Sequence, residues 1–181
     1  MGMKSKGNFF LLILILLLIR FGMGLTFCDE KRITLDDVKL SVVIPEGWER
    51  GVPSKGYSLL IGVLEPQTNF RANISLLITK MPGITAKSFT LDALYQSVKA
   101  NLDKTFQTNY KNLEKLNMTV LGNEILVVKY DMPKENMTLS CKQYFIFENE
   151  NRYLFTAVAS EENFDKLEPK FDKIVSSIQL N

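Results

Sequence analysis

YKNLEKLNMTVLGNEILVVKYDMPKENMTLSCKQYFIFENENRYLFTAVA, residues 110–159, is the stretch that decides the fold class. Four apolar or alternating segments, 110–120, 124–130, 139–147 and 153–159, read as strands because side chains on a strand point to opposite faces with period two. Gly122-Asn123, Pro133-Lys134-Glu135-Asn136 and Glu148-Asn149-Glu150-Asn151 supply turn chemistry between them. Connections this short join antiparallel neighbours, whereas parallel strands need a crossover of a dozen or more residues. No helical period occurs inside the stretch, so a doubly wound parallel sheet is disfavoured.

The period changes just upstream. Leu91, Leu94, Tyr95, Val98, Leu102 and Phe106 recur at helical spacing over 90–106, with Thr90 placed to cap the helix and Asp92 in its first turn. Further upstream, 39–44, 58–64 and 72–80 read as strands, stopped respectively by Pro45-Glu46-Gly47, Glu65-Pro66 and Met81-Pro82-Gly83. Downstream, Phe164, Leu167, Phe171, Ile174, Val175 and Ile178 form the inward stripe of a closing helix over 162–177. Pro169 within it predicts either a kink or a helix that begins near Glu168. The expected architecture is α+β: an antiparallel sheet of about six to seven strands covered by helices.

The first 27 residues read differently. Lys4 and Lys6 precede the unbroken apolar run 9–19, whose length suits the roughly 7–15 residues of a signal-peptide core. Arg20 interrupts the run before the about 20 apolar residues that a membrane-crossing helix needs. Residues 1–27 are therefore expected to be a signal peptide or membrane anchor, 28–32 a short charged tether, and 33–181 one domain. Leu25-Thr26-Phe27-Cys28 resembles a bacterial lipoprotein signal, with Leu25 three residues ahead of an acylated Cys28, although Phe27 stands where a small residue is usual. Ordinary cleavage after Gly24, with Gly22 and Gly24 as the small residues, and retention as an uncleaved anchor are the other two fates. Cys28 and Cys141 are the only cysteines. If Cys28 carries lipid, Cys141 behaves as a small buried hydrophobe; if not, the two are available for a disulfide in an oxidising compartment.

Charge and composition exclude several functions. The chain has 22 basic and 20 acidic residues, but the part after Gly24 has 19 and 20, a net charge of −1. Such a domain has no field to steer nucleic acid. Histidine is absent, which removes the usual Ser-His-Asp and Cys-His arrangements, His-based zinc sites and His proton shuttles. No phosphate-binding glycine motif occurs. Asp36-Asp37 and Glu161-Glu162 are adjacent carboxylates of the kind found on solvated turns and at helix N-termini, rather than an acid/base pair converging in a cleft. Trp48 reads as a core plug beside the first strand, and Tyr144, Phe145, Phe147, Tyr153 and Phe155 as cross-strand packing. Neither catalytic residues nor a cofactor or metal site is expected.

The order of elements carries a resemblance. A strand ending in Ile44-Pro45-Glu46-Gly47-Trp48, then two strands, a helix, a four-strand meander and a final helix ending Phe171-Asp172-Lys173-Ile174-Val175-Ser176-Ser177-Ile178 resembles the PsbP-like superfamily over about residues 33–180. That superfamily includes the photosystem II extrinsic protein, a Ran-binding nuclear-import factor and exported bacterial lipoproteins of the DcrB type. The resemblance implies an αβα sandwich and, for the exported members, an accessory role. The photosystem members' metal-binding histidines have no counterpart here. The expected function is a non-catalytic protein of the cell envelope, held to the membrane by its N-terminal lipid or anchor and binding a protein partner. The alternative is a periplasmic or secreted small-molecule carrier with a pocket between sheet and helix.

Overall fold

The computed structural model describes residues 30–85, 87–107 and 109–180. The apolar run, the Gly24 cleavage position and Cys28 lie outside the described residues.

The meander forms as its alternation predicts, but with longer strands and tighter turns. Strands β6 (Lys111–Val120), β7 (Asn123–Lys134), β8 (Met137–Glu148) and β9 (Asn151–Ser160) pair successively in antiparallel register. Val120 pairs with Asn123, Lys134 with Met137 and Glu148 with Asn151, so each connection is two residues rather than the longer loops expected. Leu121-Gly122 and Asn149-Glu150 both hold positive φ, 52° and 76°, then 50° and 57°. Two consecutive left-handed residues give a hairpin turn whose twist matches that of the strands it joins.

Strand β9 also pairs with β5 (Arg71–Lys80), which pairs with β4 (Leu59–Leu64), which pairs with the two-residue β3 (Glu49–Arg50). The result is a seven-stranded antiparallel sheet in the order β3-β4-β5-β9-β8-β7-β6. Gly62 in β4 lets two strands approach closely, since a Cβ there would lie 2.9 Å from the Ala72 carbonyl oxygen.

The first predicted strand is placed elsewhere. Strand β2 (Leu40–Ile44) joins β1 (Lys31–Leu35) and β10 (Gln179–Leu180) in a separate three-stranded sheet. Lys31 and Arg32, expected in the tether, belong to β1. Ile33 and Leu35 alternate inward, and the pairing with β2 runs through to Lys31 opposite Ile44. A 3-10 turn at Asp36–Val38 links the two strands, and both of its aspartates are exposed.

Helix α1 (Leu91–Phe106) and helix α2 (Glu161–Ser176) cover opposite faces of the large sheet, giving the expected α+β sandwich. Thr90 caps α1 as predicted, its Oγ1 accepting from the Ala93 N–H at 3.2 Å. Pro169 lies inside α2, which runs unbroken past it, so the alternative of a helix starting at Glu168 does not occur. Proline forfeits one backbone bond there, and the packing of α2 offsets it. Phe164, Phe171, Ile174 and Val175 are essentially inaccessible.

The two faces are packed unequally. Beneath α2 and the small sheet lies the larger core, including Leu40, Val42, Ile61, Ile74, Leu76, Tyr144, Phe155 and Phe171. Trp48 fills its rim, 94% buried as anticipated, edge-on to Phe171 with ring centroids 5.3 Å apart. Helix α1 covers the other face more loosely: only Val98 and Leu102 of its stripe are fully buried, while Leu91, Leu94, Tyr95 and Phe106 are partly so.

Candidate binding sites

Three features lie against the sheet, and their charged groups, Glu65, Lys129, Lys142, Arg152, Glu168 and Asp172, are not read as functional in the sequence. The first is Glu65, at the end of β4 and only 3% exposed. Its carboxylate accepts from the Ser160 N–H at 2.9 Å, the Ser160 hydroxyl, the Thr68 hydroxyl at 2.6 Å and the Asn163 amide at 3.0 Å. Ser160 is the N-cap of α2 and makes no side-chain cap bond of its own; Glu65 fixes the start of the helix by holding the backbone N–H and hydroxyl of Ser160 and the side chain of Asn163. Burial pushes the Glu65 carboxyl upward, but the hydrogen bonds from Ser160, Thr68 and Asn163 outweigh it and hold the group below its ordinary value.

The second is an ion network between sheet and α2. Lys142 of β8 points from a buried position to Glu168 Oε1 and Asp172 Oδ1, both at 2.7 Å. Tyr144 donates its hydroxyl to Asp172 at 2.7 Å. Lys129 of β7 lies 3.0 Å from Glu168 Oε2 and over the Phe164 ring, 4.8 Å from its centroid. Glu168 and Asp172 stand one helical turn apart, so one face of α2 meets two adjacent strands. Burial raises the Glu168 carboxyl, and the two lysines more than reverse it, leaving the group low. Every charge in this network is matched by a partner from the chain itself. The arrangement stitches layers together and leaves no free base for proton transfer.

The third is a cleft of about 300 Å³ between α1 and the sheet, a consequence of the looser packing on that face. Val98, Leu102 and Phe106 of the helix face Tyr130, Phe145 and Leu154 of the sheet, and Asn101, Thr105, Gln143 and Arg152 add polar groups.

Among residues weighed in the sequence, Glu161 and Glu162 are exposed in the first turn of α2, far in sequence and in fold from Asp36 and Asp37 in their solvated turn. The structure brings no acid/base pair out of either. Cys141 is a free thiol, 1% exposed, and burial pushes it up to about 12. Among the described residues no group of three or more Cys, Asp or Glu side chains is arranged to hold a metal ion. The aromatic set is packing: Tyr144 stands opposite Phe155 and Ile146 opposite Tyr153 on one face, while Phe145 and Phe147 turn to the other.

The sequence held faint signals for what was missed. Lys142 is a lone cation inside the apolar run 139–147, and Glu65 is a carboxylate directly after an apolar strand. Either signal marks an interior charge only once the sheet face it occupies is known to be covered.

The sequence matches no family model and no curated protein. Solved structures do match. The solution structure of cyanobacterial PsbP (CyanoP) from Synechocystis sp. PCC 6803 shares 16% identity, aligns over 88% of this chain and 96% of its own, and has a TM-score of 0.61. LpqN of Mycobacterium tuberculosis, described as involved in cell envelope biogenesis, shares 14% identity over 83% of this chain and 90% of its own, with a TM-score of 0.56. The Saccharomyces cerevisiae Ran-binding protein Mog1p shares 11% identity over 84% and 96%, with a TM-score of 0.54. Identities this low speak to the fold, and the seven-stranded antiparallel sheet between two helices therefore has the PsbP-like fold that the order of elements predicted.

Proposed function

We propose that the chain is a non-catalytic accessory protein of the cell envelope, exported by its N-terminal segment, anchored by lipid on Cys28, and engaging a protein partner through its folded part. The observation that carries the partner-binding reading is the loop between β3 and β4. It presents Val52, 91% exposed between Gly51 and Pro53, together with the exposed Tyr57. An exposed apolar side chain on a loop between two strands is available for contact with another surface. The accessory reading is supported by the buried Glu65 and the partly buried Glu168, both committed to structural bonds. The envelope reading draws support from the likeness to LpqN. The lipid reading rests on the spacing of Leu25 and Cys28 in the sequence.

Intact mass of the protein extracted from its host's membrane fraction tests the anchor. The expected mass is residues 28–181 plus a diacylglyceryl and an acyl group. A soluble species beginning at Leu25, two hydrogens lighter than its reduced form, refutes the lipid anchor. Partner binding is tested by a photo-crosslinking residue at position 52 in the native envelope. A discrete adduct is expected there and not at exposed Lys111 of the far edge strand β6. Equal labelling at both positions refutes the loop as a docking site.

A further inference from the structure

The cleft under α1 contains one charged lining residue, and that residue is incompletely bonded. Arg152 projects from β9 on the α1 side of the sheet, where its guanidinium makes one hydrogen bond among the described residues, a long 3.3 Å contact from Nη2 to Thr79 Oγ1. Its Nε–H is buried with no partner, and no carboxylate of the described residues lies within ion-pair distance. The contrast with Lys129 and Lys142 on the opposite face is direct, since those cations are fully matched by acids. A guanidinium carries five donors suited to a planar carboxylate. Of these only the Nε–H is buried without a partner, Nη2 meets Thr79 and the side chain is partly exposed, so a carboxylate entering the cleft would pair the orphaned Nε–H.

We propose that this cleft binds a small amphipathic monocarboxylate, its head paired with Arg152 and its apolar body lying against Val98, Leu102 and Phe145. The volume of about 300 Å³ is at the small end for ligand pockets, which suits a short-chain acid better than a long lipid. Gln143 and Asn101 also line the cleft, Gln143 beyond the Phe145–Leu154 pair from Arg152. The site belongs to the face opposite the α2 core and is independent of the β3–β4 loop.

The test uses the chain as its host processes it, held in lipid nanodiscs, with labelled methyl groups on valine and leucine followed by NMR. Hexanoate is the probe, with hexanol and inorganic phosphate as controls. Saturable shifts at Val98, Leu102 and Leu154 are expected with hexanoate alone, weakened about tenfold or more in Arg152→Gln, since hydrogen bonds to charged groups have that worth. If hexanoate gives no saturable shift, if hexanol or phosphate saturates the same signals equally, or if Arg152→Gln binds as well as the parent, the proposal is overturned. Should Arg152→Gln fail to fold, Asn101→Trp carries the test. It lies at an exposed position of α1 lining the cleft, and undiminished hexanoate binding there is equally fatal.

Discussion

Replacing Glu65 by glutamine keeps the shape of the side chain and changes what it can accept. Four donors converge on the carboxylate: the Ser160 N–H, the Ser160 and Thr68 hydroxyls and the Asn163 amide. The hydroxyls can turn and accept from a carboxamide NH2. The Asn163 amide, at 3.0 Å, then faces another donor, and flipping it sacrifices its 3.1 Å bond to Ser160 Oγ. A hydrogen bond to a charged group contributes about 1.5–3 kcal/mol, and a buried donor without a partner costs about 1–3 kcal/mol. With part of this recovered by the rotating hydroxyls, Glu65→Gln should cost about 3 kcal/mol at neutral pH. For a domain of this size that lowers the melting temperature by about 6–12 °C. Circular dichroism melts at several pH values provide the assay. The folded-state pKa of Glu65 lies below its ordinary 4.5, so its contribution is complete above about pH 4.5 and is lost as pH falls through the lower folded value. The gap between parent and variant should therefore close in acid. A variant melting within about 2 °C of the parent at pH 7, or a gap unchanged at acid pH, would refute the assignment of Glu65 as the group that fixes the start of α2.

Three further outcomes follow from the packing. Lys142→Met should destabilise by about 2 kcal/mol in urea titrations, less than for a fully buried pair because Glu168 and Asp172 keep some solvent and retain Lys129 and Tyr144; a variant more stable than the parent would show that the network costs more than it returns. Trp48→Phe should cost about 1 kcal/mol against about 3–4 kcal/mol for Trp48→Ala, since the smaller ring keeps the Phe171 contact and removes the buried, unpartnered indole N–H; equal losses would show that the edge contact contributes nothing. Cys141, buried and pushed up to about 12, should resist iodoacetamide at pH 8 until the chain unfolds; rapid labelling of the native protein, read by mass spectrometry, would contradict its burial.

What the amino-acid sequence determined by itself was everything governed by local periodicity and chain stiffness. The apolar and alternating segments 124–130, 139–147 and 153–159 specified strands, while the burial of both sheet faces is seen only in the structure. The helical stripes and Thr90 specified α1 and α2, and the short turns specified antiparallel pairing. Strands β1, β3 and β10 were not legible, because two-residue strands carry no period and the Lys-Arg start of β1 reads as tether. Nor was the separation of β2 into its own sheet, which depends on contacts with the chain's far end: Ser177 Oγ accepts from the Val43 N–H at 2.8 Å, and Arg32 reaches the Ser177 carbonyl at 3.0 Å. The candidate sites belong to the same class. Glu65 meets Ser160 and Asn163 across 95 and 98 residues, Lys142 meets Glu168 and Asp172 across a layer, and Arg152 Nε is left without a partner among the described residues. Charge placement in the interior is a property of three-dimensional pairing, since a lysine in an apolar strand reads the same whether an acid awaits it or not.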